Sequence, residues 1–165
     1  MARILILGGE DRGVRLARRL VADGHAVRVA NGDEDRREQI EAAGAEHLLG
    51  TPARLATLTG ALEHVTLACW LFAAGRLEPE AMAELHGPRL EQFLARAVDS
   101  TLRGFLYEAG GTVLEPAIRE QGERIVAEAS VRNAIPALTL RADPDEQEAW
   151  LAEAAAAVDR LLGLR

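Results

Sequence analysis

The sequence contains no lysine, since all 19 of its Lys and Arg residues are arginine. A lysine amine forms Schiff bases with carbonyl substrates, and it also activates the tyrosine of a Tyr/Lys proton-transfer pair. The absence of lysine therefore excludes both kinds of chemistry from this chain.

Cysteine and long apolar runs are also scarce. The single cysteine, Cys69, lies in the apolar run Val65–Ala74, which excludes a disulfide framework and favours a buried thiol over a reactive one. No apolar run reaches the roughly 20 residues that span a bilayer. Met1–Gly9 holds an apolar core of only four residues, whereas a secretory signal needs roughly 7–15. We expect a cytoplasmic protein that does not enter a membrane.

The chain has fewer basic than acidic residues: 19 Arg against 26 Asp and Glu, which gives a formal net charge of −7. A nucleic-acid-binding groove needs a basic face, so we do not expect nucleic acid as a partner. The hydrophobic content of 48% is ordinary for a globular protein. The length of 165 residues suits one domain with its own core, and we expect a single domain over residues 1–165 with no separate substrate domain.

The most informative stretch lies at the start of the chain. The apolar run Ile4–Leu7 meets the glycine-containing turn Gly8–Gly13, and Val14–Val21 follows with apolar residues at helical spacing. Strand, glycine turn and helix form the opening of a dinucleotide-binding βαβ unit. Such a turn directs backbone N–H groups and the positive end of the helix at one point, where a pyrophosphate can bind.

The same alternation continues along the chain. The pattern predicts six strands, at Ile4–Leu7, Ala26–Ala30, Glu46–Leu49, Thr66–Phe72, Gly104–Tyr107 and Ala137–Leu140. It predicts helices between them, one of which begins at Thr51-Pro52 and carries Leu55, Leu58, Leu62 and Val65. We therefore expect an α/β fold: a doubly wound parallel sheet with helices on both faces. Ligands of such sheets bind at the carboxyl ends of the strands. That rule places Gly8–Gly13, Asn31–Asp33, Gly50–Thr51, Ala73–Gly75 and Glu108–Gly111 around one crevice.

The order of these motifs resembles one family. The matching stretches are Ile4–Gly9, Leu20–Val29, Ile40–Glu46, Leu49–Gly50, Leu71–Gly75 and Ile135–Arg141, which together extend over most of residues 3–141. They resemble the extended or atypical short-chain dehydrogenase/reductases, an NAD(P)-dependent, epimerase/dehydratase-like group that includes non-catalytic redox sensors. The resemblance implies an NAD(P)-binding Rossmann fold, NAD or NADP as the cofactor, and a homodimer paired through Arg89–Asp99 and Pro116–Ala129.

The phosphate loop departs from the family pattern. The family loop usually has glycines at its first, fourth and seventh positions, whereas this shorter loop has Gly8, Gly9 and Gly13. In the G-x-G-x-x-G template Glu10 takes the place of the middle glycine, which lets the backbone approach the pyrophosphate. Two carboxylates beside a diphosphate also repel it, an effect that Arg12 could offset. The alternative to a phosphate cradle is a turn in which Asp11 caps the first helix.

The remaining cofactor contacts are expected at the later turns. Asn31 and Asp33 could bond ribose hydroxyls, and Arg36 or Arg37 could reach a 2′-phosphate, although a polar turn and an exposed helix face would show the same residues. Thr51 stands where the family has an acid near the adenine. The candidate cofactor-binding residues are Gly8, Gly9, Glu10, Asp11, Arg12, Gly13, Asn31, Gly32, Asp33, Arg36, Thr51, Ala73, Ala74 and Gly75.

The family's catalytic residues are missing. Strand five carries Tyr107-Glu108-Ala109 where the family has a serine or threonine, and the next helix has no Tyr-x-x-x-Lys. We expect no catalytic residue of the family type, although Glu108 or Tyr107 could serve as a non-standard base; packing and an ordinary strand-end acid are the alternatives. The four histidines lie near element ends, where surface or capping roles are expected, and they show no metal-ligand spacing.

Three functions remain open. The chain could bind a small-molecule nucleotide as a sensor or accessory protein without reductase chemistry. It could be an oxidoreductase or epimerase-like enzyme with non-standard catalytic residues. It could also be an interaction module that has lost its ligand, for which Glu10-Asp11 in the loop is the best support.

Overall fold

A computed structural model describes residues 1–163 of the chain. The strands are β1 (Arg3–Gly8), β2 (Ala26–Asn31), β3 (Glu46–Leu49), β4 (Leu67–Leu71), β5 (Gly104–Glu108) and β6 (Ala137–Leu140). The α-helices are α1 (Glu10–Ala22), α2 (Arg37–Ala42), α3 (Pro79–Leu85), α4 (Pro88–Ala97), α5 (Pro116–Asn133) and α6 (Gln147–Gly163). Two short 3₁₀ turns, Glu34–Arg36 and Leu55–Leu58, complete the regular structure.

All six strands form one sheet in the order β3-β2-β1-β4-β5-β6, and every neighbouring pair is parallel. The order reverses between β1 and β4, which are hydrogen-bonded neighbours. The predicted doubly wound α/β fold is therefore confirmed. Its topology places the switch point, where such sheets bind ligands, beside the glycine turn that follows β1.

Two apolar layers cover the sheet. On one face the side chains of Ile4 and Ile6 pack with α1, α6 and Ile40 of α2. On the other face Leu5 and Leu7 pack with α4 and α5. Every residue of β4 and β5 is buried, as expected for central strands covered on both sides. Among residues 1–163, no helix combines the length and the apolar character that crossing a bilayer requires.

The predicted helix over Thr51–Val65 is wrong. This segment forms the 3₁₀ turn Leu55–Leu58 with irregular turns on either side. The hydroxyl of Thr57 bonds the backbone N–H of Thr51 at 2.9 Å and the carbonyl of Arg54 at 2.6 Å. Such side-chain bonds offer the backbone an alternative to helical pairing. Leu58 and Val65 are nevertheless buried. The apolar spacing therefore reflects packing against the sheet, although the segment is not a continuous helix.

Candidate functional site

The turn between β1 and α1 is built on glycine. Gly8 and Gly9 adopt φ values of 74° and 84°, and Gly9 is the N-cap of α1. The Gly9 N–H donates to the carbonyl of Leu71 at 2.9 Å, which holds the turn against the end of β4. A Cβ placed on Gly13 would lie 2.7 Å from the Gly8 carbonyl oxygen. Gly13 therefore has the role of the third glycine of a dinucleotide loop, which allows close packing of helix and strand.

Glu10 lies where the G-x-G-x-x-G template has its middle glycine, and its backbone adopts a conformation that favours glycine. Its φ is 49°, in the left-handed region that residues with a Cβ seldom adopt. Its side chain is exposed and reaches across the crevice, since one carboxylate oxygen lies 3.5 Å from a Cβ placed on Gly75. Backbone strain of this kind costs about 1–3 kcal/mol and concentrates at functional sites. The Glu10 carboxylate thus spans from the β1–α1 turn to the β4–α3 loop.

A cavity of about 460 Å³ opens beside this turn, at the carboxyl ends of β1, β2, β3 and β4. Its size is within the range of small-molecule sites. Seven of the candidate cofactor-binding residues line it: Gly8, Gly9, Glu10, Asn31, Gly32, Thr51 and Ala74. Its apolar wall includes Leu71, Phe72, Leu77 and Leu85. The remaining candidates, which are not among its lining residues, are Asp11, Arg12, Gly13, Asp33, Arg36, Ala73 and Gly75.

The sequence did not point to the far wall of this cavity. Glu80, Glu84 and Arg89, from α3 and the start of α4, line it opposite the glycine turn. Arg89 donates from Nε to the Glu84 carboxylate at 3.0 Å. The sequence offered one signal for this wall: the segment comes directly after β4, where the chain passes over the switch point.

Arg12 is directed into the protein and not towards a ligand. It is 7% exposed, and its guanidinium donates to both carboxylate oxygens of Glu108, at 2.8 Å from Nε and 2.6 Å from Nη2. It also donates to the carbonyls of Gly9 and Leu71, at 3.1 and 3.2 Å. These bonds fix the β1–α1 turn to the ends of β4 and β5. Arg12 therefore does not offset the charge of Glu10 and Asp11 in the way that the sequence suggested.

Glu108 is fully buried and fully bonded. Besides Arg12, the indole N–H of Trp150 in α6 donates to Oε2 at 2.8 Å, and the Ala73 N–H donates to Oε1 at 2.9 Å. The expected crevice carboxylate is thus an internal one, because its side chain points to the α1–α6 face of the sheet. We call Arg12, Glu108 and Trp150 the buried triad.

Asp11 does not cap the first helix. The helix begins at Glu10, earlier than the predicted start near Gly13, so Asp11 lies within its first turn. Its carboxylate accepts from Arg36 at 3.0 Å, and this hydrogen bond lowers the pKa of Asp11 below its usual range. The Asn31 side-chain oxygen accepts from the Asp33 N–H, and Asp33 in turn caps the turn Glu34–Arg36. Arg36 and Asp33 are therefore partly engaged in local structure.

Tyr107 faces the opposite side of the sheet, where it pairs with His86. Both side chains are fully buried. One ring nitrogen of His86, Nε2, lies 2.9 Å from the Phe72 carbonyl, and the other, Nδ1, contacts the Tyr107 hydroxyl. Because a carbonyl only accepts, Nε2 carries the proton and Nδ1 accepts from tyrosine. Burial lowers the pKa of His86 and raises the pKa of Tyr107, so both are neutral.

Two of the four histidines and the single cysteine are buried. His86 and His47 are buried, so a surface position is wrong for these two. Neither ring nitrogen of His47 has a hydrogen-bond partner among the described residues. Within residues 1–163, no three or more His, Cys, Asp and Glu side chains are grouped to hold a metal ion. Cys69 is buried, and burial raises the pKa of its thiol, as expected for a structural cysteine.

Comparison with solved structures places this geometry among known folds. No family model and no curated relative matches the chain. Vestitone reductase from alfalfa superposes with a TM-score of 0.63 at 15% identity, over 86% of this chain and 56% of that one. A UDP-galactose 4-epimerase gives 0.70 at 20% identity, over 84% and 55%. A short-chain dehydrogenase/reductase superfamily protein from Agrobacterium tumefaciens, with bound NAD, gives 0.67 at 18%, over 84% and 48%.

These similarities establish the fold. The chain has the Rossmann-like architecture of the short-chain dehydrogenase/reductases and epimerases, which confirms the resemblance at the level of fold. It spans about half the length of the solved structures that it matches.

Proposed function

We propose that this chain is a nucleotide-binding protein of the Rossmann type that holds an adenosine-containing ligand, NAD and NADP included, without the Tyr/Lys chemistry of reductases. The observation that carries the proposal is the cavity of about 460 Å³ at the topological switch point. Ligands of open α/β sheets bind at this position. The A. tumefaciens protein of the same fold is described with bound NAD.

The walls of the cavity suit a nucleoside. Asn31 ends β2 and Gly32 follows it, where a ribose reader is expected, and Thr51 follows β3 near the expected adenine. The Asn31 side-chain oxygen is used by Asp33, which leaves its amide N–H₂ as a donor for a sugar hydroxyl. Phe72 and Leu85 supply apolar surface for a base. A mostly apolar cavity with a few placed polar groups is typical of small-molecule sites.

The chemistry of the chain supports a sensor or accessory role over catalysis. There is no lysine in the sequence, and its only tyrosine, Tyr107, is fully buried against His86. Glu108, the other residue considered as a base, accepts four hydrogen bonds in the interior. Neither side chain lines the cavity. An enzyme using either residue would need the core to open first.

The proposal is tested by ligand-dependent stability. Adenosine, NAD and NADP at millimolar concentration should raise the melting temperature of the purified protein, since a ligand present at 100 times its Kd adds about 2.7 kcal/mol. Gly32→Leu places a side chain on the cavity wall and should abolish the shift. Ala156→Leu, on the exposed side of α6, is the matched control and should keep it.

Native mass spectrometry of freshly purified protein provides the second readout. A retained nucleotide would support the proposal. If no ligand is retained and none of the three shifts the melting temperature, the proposal fails and the interaction module is favoured.

We also propose that two copies of the chain pair through α4 and α5. The same mass spectrum tests this by its subunit count, and a monomer at all concentrations would contradict it.

A further inference from the structure

We infer that Glu10 is a specificity-determining residue, and that the cavity prefers a nucleoside whose 5′ position carries no phosphate over the corresponding mono- and diphosphates. This inference rests on the proposed function, because it concerns which adenosine-containing ligand the same cavity binds best. It assigns to the turn between β1 and α1 a selective role in place of the usual phosphate-binding one.

The first step is the charge of the cavity wall. Three carboxylates line it, from Glu10, Glu80 and Glu84, and Arg89 is the one cation among its lining residues. Arg89 is paired with Glu84 at 3.0 Å. The described wall therefore carries two negative charges in excess. An incoming phosphate would be repelled by both.

The second step is the position of the Glu10 carboxylate. The side chain crosses from the β1–α1 turn to within 3.5 Å of a Cβ placed on Gly75. In a dinucleotide fold this space beside the helix start receives the pyrophosphate. The Glu10 carboxylate thus places a negative charge in the space where the pyrophosphate of a ligand would otherwise lie.

The third step is that three arginines near the turn, two in α1 and one after β2, are already engaged. Arg12 is bound to Glu108, and Arg36 is bound to Asp11 at 3.0 Å. Arg15, one turn further along α1, donates to the side-chain oxygen of Gln147. None of these three cations lines the cavity. A phosphate at the turn would therefore have to displace an existing interaction to gain any of these three arginines as a positive partner.

The fourth step concerns the end of α1 itself. A helix N-terminus attracts anions because of its free N–H groups and its dipole. Here the first turn already contains Glu10 and Asp11, and the Gly9 N–H is bonded to Leu71. The attraction is therefore partly satisfied within the chain. What remains for a ligand is apolar surface for a base, and oxygen acceptors for sugar hydroxyls.

Isothermal titration calorimetry with adenosine, AMP and ADP tests the inference on the intact chain. We expect adenosine to bind most tightly and each added phosphate to weaken binding at least about fivefold, the effect of about 1 kcal/mol for one charge pair at 4 Å in water. Glu10→Gln keeps the shape of the side chain and removes its charge. It should reduce the ratio of ADP to adenosine dissociation constants at least about fivefold. Asp159→Asn, at an exposed position of α6, also removes one negative charge and is the matched control, which should leave the ratio unchanged.

The outcomes separate this inference from the proposed function. ADP binding to the wild-type chain as tightly as adenosine would overturn the role of Glu10 while leaving nucleotide binding in place. An unchanged ratio in Glu10→Gln would overturn it as well. If adenosine, AMP and ADP all fail to bind the wild-type chain and Glu10→Gln alike, the proposed function itself fails.

Discussion

At the scale of single residues, the buried triad determines how the turn after β1 is held. The carboxylate of Glu108 receives four donors, and Arg12 also donates to two backbone carbonyls. A buried charge is tolerated only when it is paired and hydrogen-bonded, and this carboxylate is both. The triad therefore fixes the β1–α1 turn to the ends of β4 and β5.

The effects of removing Arg12 and of removing Glu108 on stability should be strongly coupled. We expect Glu108→Leu and Arg12→Met each to lower the free energy of unfolding by about 3–5 kcal/mol, because each leaves an uncompensated buried charge. The double variant should lose far less than the sum of the two. Urea denaturation of all four proteins measures these values, and additive losses would contradict the coupling.

His86 should make stability depend on pH. Burial lowers its pKa in the folded state below the 6.5 of an unfolded chain. The unfolded state then binds more protons between these two values, so stability rises with pH there and is lost as pH falls below about 6.5. The slope reaches at most about 1.4 kcal/mol per pH unit for one group.

The comparison variant is His86→Gln, whose amide can accept from Tyr107 and donate to the Phe72 carbonyl. Unfolding free energies measured from pH 8 to pH 5.5 should fall more steeply for the wild type than for this variant. Parallel curves would show that His86 does not contribute, since the other three histidines are present in both proteins.

At the scale of elements, the contact between β1 and α1 depends on Gly13. Gly→Ala inside a helix normally adds about 1 kcal/mol of stability. Here the new Cβ would lie 2.7 Å from the Gly8 carbonyl oxygen, which belongs to the backbone and has little freedom to move. We expect Gly13→Ala to destabilise the protein by about 1–3 kcal/mol, the range for overpacking.

The control for this variant is Gly163→Ala at the end of α6, where no other atom of residues 1–163 lies within 4 Å of the new Cβ. Thermal and urea denaturation should show it equal to the wild type or slightly more stable. A Gly13→Ala protein as stable as the wild type would mean that α1 can move away from β1 at little cost.

The elements also show what the sequence could and could not predict. Apolar runs and glycine turns are local signals, and they placed all six strands. The Thr51–Val65 segment has helical leucine spacing, but the hydroxyl bonds of Thr57 outweigh it, and spacing alone carries no information on such bonds. The candidate site was partly predictable for the same reason: the turns that follow the strands were visible, whereas the wall from α3 was not.

At the scale of the whole molecule, the unpredicted features are those that join distant segments. Arg12 and Glu108 are 96 residues apart, so no local pattern could have paired them. Both were expected beside the crevice, because each lies at the carboxyl edge of the sheet. Strand topology predicts the edge of the sheet at which a residue lies more readily than the face to which its side chain points. The face matters for the charge of the cavity wall, because neither the Arg12 cation nor the Glu108 carboxylate belongs to that wall.

The sheet should make the two apolar layers unfold together, and the two tryptophans allow this to be measured. Trp70 packs among Phe72, Phe93 and Phe105 on the α4–α5 side, while Trp150 lies on the α1–α6 side. Trp150→Phe and Trp70→Phe each leave one fluorescent reporter, because the chain has two tryptophans.

Both variants should be less stable than the wild type. Trp150→Phe removes one donor from Glu108, and Trp70→Phe removes the indole donor to the Leu85 carbonyl. Unpaired buried groups of this kind cost about 1–3 kcal/mol. Within each variant, however, the fluorescence and far-UV circular dichroism midpoints in urea should coincide, because β1, β4 and β5 contribute side chains to both layers. A fluorescence midpoint that differs from the circular dichroism midpoint in either variant would show that one layer opens separately, and the shared sheet would then not be the cooperative unit.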